Sequence, residues 1–203
     1  MPDDSSAWKD VKTKLWARVK EIEKDIPSYD YSEVHHMTAT DDKVKDLVVD
    51  ELRKSKKLLF NILETAYEQQ KEGLTTDLHK IRDDLDIFLD EVKVKHDVKW
   101  PQKIPDEFLE KIVSHDSEIL RAIPKLNGEL EDIEKHMLGM EKPGSNLFDR
   151  EQLDKLNGKT LSVKNHASEI VRLFKERELL VNLKHIHREH EYDELKPGAE
   201  TTY

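Results

Sequence analysis

The densest run of groups able to bind metal or move protons is Lys184-His185-Ile186-His187-Arg188-Glu189-His190-Glu191. On a helix, His187 and His190 are three residues apart and His187 and Glu191 four apart, so either pair shares a face and could reach one divalent ion. His185 would point away from that face. A solvated helix end explains the same residues, because partly charged imidazoles suit the negative end of the helix dipole. His187, His190 and Glu191 are therefore candidate metal ligands, but no second ligand set is fixed by the spacing, and no cofactor is predicted beyond a possible divalent metal.

Other acidic groupings carry weaker chemistry. Asp83, Asp84, Asp86, Asp90 and Glu91 form an acidic run without the glycine and ligand spacing of a calcium loop, and they read as a solvated helix face. Glu-x-x-His pairs of the carboxylate-bridged di-metal kind are missing. Glu131-Asp132-Ile133-Glu134 and Glu151-Gln152-Leu153-Asp154 resemble, in their acidic positions, the motifs of helical nucleotide pyrophosphatases of the MazG kind. The likeness covers about 25 residues, and it implies that Glu131, Glu134, Glu151 and Asp154 hold magnesium. His115 falls within, and Asp116 beside, an apolar helical stripe, where a buried polar group needs a hydrogen-bond partner; a structural bond is the expected role. Glycine-rich phosphate loops, nucleophile elbows and zincin motifs are absent, and with no cysteine there is no thiolate chemistry and no disulfide.

The elements that would position these groups are helices. Charged residues make up 38% of the 203-residue chain, against about a quarter in ordinary domains. Gly (6) and Pro (7) are scarce, which favours continuous helix. The net charge of −10 argues against direct nucleic-acid binding and against an anionic membrane surface. No apolar run is long enough to span a bilayer, and the polar start lacks a secretory pattern, so a cytoplasmic location is expected.

Apolar residues at steps of three and four predict a first helix over 6–26, ended by Pro27, with Trp8, Val11, Leu15, Val19 and Ile22 on one face and Trp16 beside it. A polar loop follows. A second helix is predicted from Thr40, with Asp41 and Asp42 in its favourable first turn, to a stop at Gly73. Val49, Phe60 and Tyr67 widen its apolar stripe, which suggests more than one neighbour. A third helix over about 75–95 carries Leu78, Ile81, Leu85, Phe88 and Val92, with Ile87 and Val94 on the opposite side. The phase of Phe108, Ile112, Ile119, Ile123, Leu126 and Leu130 persists across Pro124, so 106–138 reads as one kinked helix. A short helix over 149–156, broken at Asn157-Gly158, precedes a last helix over 160–192, and 193–203 reads as a flexible tail.

The expected architecture is all-α, a single domain over 1–203 built as an elongated four-helix bundle of long amphipathic helices. It includes an added N-terminal helix and a short helix before the last long one. In the last helix Val163, Ala167, Ile170, Phe174 and Val181 share one side, whereas Leu179, Leu183 and Ile186 lie nearly opposite. These three, with Ile87 and Val94, are candidate partner-binding residues, although isolated exposed apolar residues are also ordinary. The expected function is a non-enzymatic interaction or scaffold protein that binds a protein partner or forms a homodimer. The alternative is a metal-binding protein or metal-dependent hydrolase using the His/Glu segment or the acidic clusters.

Overall fold

The computed structural model describes residues 5–69, 72–93, 100, 105–139 and 150–181. Among the described residues, six helices follow one another: α1 (Ser5–Lys14), α2 (Trp16–Asp25), α3 (Val34–Glu68), α4 (Glu72–Lys93), α5 (Asp106–Leu138) and α6 (Arg150–Val181). The expected all-α bundle of long helices is what forms. The four long helices close a ring in which α3 touches α4 and α5, and α6 touches α5 and α4; α1 and α2 pack on α5. Ion pairs fix the directions. Lys56 of α3 meets Asp86 of α4, and Asp132 of α5 meets Lys159 of α6, so these neighbours run antiparallel with their further contacts. Ser55–Asn127 and Asn61–Glu134 show α3 and α5 running parallel.

The core is built from the predicted stripes. On α5, Leu109, Ile112, Val113, Ile119, Ile123, Leu126, Leu130, Ile133 and Met137 are buried. The helix continues through Pro124 because this face remains in phase on both sides, and packing outweighs the one hydrogen bond that proline removes. Phe88 of α4 meets Phe174 of α6 edge to face, with ring centroids 5.3 Å apart. Among the described residues, no helix is long and apolar enough to cross a membrane.

Several boundaries differ from those the sequence predicts. The single N-terminal helix is two, because the chain bends at Leu15 and folds back until Lys12 Nζ lies 2.7 Å from Glu23 Oε1. A straight helix would hold those residues about 16 Å apart. The second long helix starts at Val34 rather than Thr40. Thr40 is buried inside it, donating to the Asp30 carbonyl at 2.8 Å and accepting from the Asp30 amide at 3.1 Å. That helix ends at Glu68, and Gly73 lies in the first turn of α4 instead of capping α3. Phe60 and Tyr67, which the periodicity adds to a wide apolar stripe, are exposed. The break at Asn157-Gly158 does not occur: α6 is continuous from Arg150 to Val181 because Leu156, Thr160, Val163, Ala167, Ile170 and Phe174 form one unbroken buried seam.

Gly128 and Gly158 therefore sit inside long helices, and a Cβ at either would meet nothing within 4 Å. Gly128→Ala and Gly158→Ala are each expected to raise stability by about 0.5–1 kcal/mol, since alanine loses less backbone entropy in a helix. Urea unfolding of each variant checks this, and a loss of stability would contradict the open surroundings of these positions.

Candidate functional site

The interior of the bundle holds one extended charged network. Arg177 on α6 is fully buried, as is Asp116 on α5; Asp41 and Lys45, one turn apart on α3, are nearly so. Arg177 donates from Nε to Asp116 Oδ1, from Nη1 to Asp41 Oδ1 at 2.6 Å and Glu178 Oε1 at 3.1 Å, and from Nη2 to Tyr31 Oη at 3.2 Å. The other Asp116 oxygen accepts from Tyr29 at 2.7 Å and Tyr31 at 3.2 Å. Lys45 bridges Asp41 at 3.0 Å and Glu178 at 3.2 Å. Both tyrosines come from the segment between α2 and α3. Their rings are enclosed by Trp8 of α1, and Trp100, from the segment between α4 and α5, meets Tyr31 edge to face at 5.8 Å.

Electrostatics follow from burial. Burial, then the adjacent Asp116 carboxylate, pushes both phenols well above their ordinary range. Burial opposes the charge on Arg177, but Asp116, Tyr31 and Asp41 outweigh it and keep the guanidinium cationic. Burial likewise raises Asp41, and Arg177 with Lys45 more than offset it, so its carboxyl titrates below the ordinary 3.8. Every member is held by another member, which is the arrangement of a structural clamp.

Sequence reasoning locates only part of this network. Phasing puts His115 in the stripe and Asp116 beside it, but the stripe is centred one residue later. Leu109 and Val113 are buried while Phe108 is only partly so, and this turns Asp116 inward and leaves His115 half-buried. The expectation of a structural hydrogen bond applies to Asp116. Asp41, which the predicted start at Thr40 places in the first turn of its helix, lies well inside α3 and in the core instead. Sequence reasoning misses Arg177, Lys45, Tyr29 and Tyr31. The available signal is a charge at core phase: Arg177 is three residues after buried Phe174 and four before buried Val181.

The metal candidates are distributed differently. His187, His190 and Glu191 lie outside the described residues, as do Leu183, Ile186 and Val94. The acidic run on α4 is engaged in surface ion pairs: Asp86 with Lys56 at 2.6 Å, Asp83 with Arg82 at 2.7 Å and Asp90 with Lys93 at 3.0 Å. The positions resembling magnesium motifs do not converge. Glu131 pairs with Lys135 at 3.4 Å, Glu134 accepts from Asn61 at 2.9 Å, and Glu151 pairs with Lys155 at 2.7 Å. Among the described residues, the group of three with ligand atoms within 4.8 Å of one another is Glu33, His35 and His36, at the start of α3. Asp30 Oδ2 stands 2.9 Å from His36 Nδ1.

The outer surface carries an open groove of about 250 Å³ between α4 and α6. Its floor includes Ile81, Leu85, Phe88 and Ala167; its rim carries Ile87 and Val171 with Asp84, Glu91, Lys164 and Lys175. Ile87 is 63% exposed, and Leu179, one turn beyond Lys175 on the same edge of α6, is 71% exposed. No family model matches the chain, and no curated protein or solved structure matches it.

Arg177→Met would strand Asp41 and Asp116 as buried carboxylates with one cation fewer, and it is expected to cost about 3–5 kcal/mol. Leu179→Ser should change stability by less than about 0.5 kcal/mol, because the side chain is mostly in solvent. Chemical denaturation of both variants tests the contrast. The depressed Asp41 carboxyl adds stability that is complete above 3.8 and is lost as the pH falls through its lower folded value. Asp41→Asn should therefore flatten the fall in stability on acidification below about pH 5 relative to wild type, measured by urea midpoints across the acid range.

Proposed function

We propose that this chain is a non-enzymatic helical interaction protein that binds another helical surface along the α4–α6 groove. The observation that carries the reading is the groove itself: an apolar floor with the large side chain of Ile87 held in solvent at its rim, and Leu179 exposed one turn beyond the rim residue Lys175. Exposed apolar side chains gathered along a groove are the usual form of a helix-in-groove contact. The charged interior supports the same reading, since its acids and bases are engaged with each other rather than aimed into a cavity. Binding through protein contacts also suits a net charge of −10 better than direct contact with nucleic acid.

A photo-reactive phenylalanine analogue placed at Ile87 should cross-link a macromolecule in the native cell. The same group at Lys24, exposed on α2, should not. Equal cross-linking at the two positions, or none at either, counts against the groove as a binding surface.

A second reading, metal binding, is favoured at one place. One ligand atom each of Glu33, His35 and His36 lies within 4.8 Å of the others, and Asp30 beside His36 Nδ1 gives the carboxylate–histidine pairing common around zinc. Zinc titration by calorimetry should then show one equivalent bound, with binding abolished by His35→Ala plus His36→Ala and weakened about 10–100-fold by Asp30→Ala. Unchanged binding in the double variant would dismiss this site.

A further inference from the structure

The α4–α6 face has a symmetry of its own. Glu91 meets Lys175 at 3.4 Å, and Phe88 meets Phe174, so residue numbers rise together along both helices and the two run parallel and level. The rim acids, Asp84 and Glu91, are on α4; the rim bases, Lys164 and Lys175, are on α6. Acid and base therefore face each other across an apolar floor, and the four rim charges cancel. The whole chain carries −10, so two copies repel over most of their surfaces, and a charge-balanced apolar face is where they can approach.

A two-fold axis that runs parallel to the helices, just outside this face, lays each α4 over the α6 of the other copy, in the same direction and at the same level. Glu91 then lies between its own Lys175 and Lys175 of the second copy, forming an alternating ring of two acids and two bases. Ile87 comes opposite Val171 of the second copy, and the same patch serves on both sides, as a closed isologous contact requires. The perpendicular two-fold would stack α4 on α4 and set acid against acid. We infer that the α4–α6 face docks a second copy of this chain about a two-fold parallel to its helices. The inference rests on the groove being a binding surface and names its occupant.

The absence of cysteine allows a direct test. Ile87→Cys and Val171→Cys are introduced into separately tagged chains, mixed and oxidised, with Lys24→Cys as control and helicity checked for each variant. The mass of the unmodified chain is followed with concentration by sedimentation. Two results are expected together: a mass that doubles with rising concentration, and a disulfide joining position 87 to position 171 in preference to 87–87 or any link to 24. Such a link needs Cα atoms within about 7 Å, and of the three positions the parallel arrangement brings 87 and 171 opposite one another. A predominant 87–87 link overturns the inference, because it requires α4 on α4. A monomer at every concentration also overturns it, and needs no substitution to be read. If the monomer is accompanied by capture of a different macromolecule at Ile87 in the cell, the groove remains a binding surface and only the second copy is rejected. If it is accompanied by no capture, both readings fall.

Discussion

The buried guanidinium of Arg177 is the constraint on which the arrangement of this bundle turns. An unpaired charge at that depth would be prohibitive, so the fold must bring Asp116, Asp41 and Tyr31 to it at once. Those groups come from α5, α3 and the segment between α2 and α3. A slip of α6 by one residue would rotate Arg177 by about 100° away from Asp116, while an apolar seam alone would tolerate small slips more readily. The clamp thus specifies register and neighbours, and the apolar stripes supply the bulk of the driving force.

The clamp also explains how the N-terminal region is attached. Tyr29 and Tyr31 reach Asp116 from a short non-helical segment, and Trp8 covers their rings. The bend at Leu15 is what returns α1 and α2 along α5 so that this segment ends beside the network. Polar satisfaction and aromatic packing are coupled here, because the phenols can be buried only if Asp116 accepts from them. At the groove, by contrast, α4 and α6 meet through Phe88 and Phe174 in depth, but their outer edges leave apolar side chains and a balanced set of charges in solvent. The interior is closed by its own partners and the outer face is open, and this contrast underlies the functional reading.

Periodicity by itself determined much of this protein. The all-α class, the continuity of α5 through Pro124, the burial of Ile112, Ile119, Ile123, Val163, Ile170 and Phe174, and the outward placement of Ile87 and Leu179 all follow from three- and four-residue spacing, because side-chain direction on a helix is local geometry. What only the tertiary structure decided were features in which distant groups compensate one another. Gly158 lies inside α6 and Val34 starts α3 because packing overrode local stop and start signals. Asp41, Lys45 and Arg177 lie in the core because each supplies the charge that another needs across as many as 136 positions of sequence. Sequence spacing shows which residues share a face of one helix, but not which helix arrives opposite it, and a buried charge is stable only when its partner does.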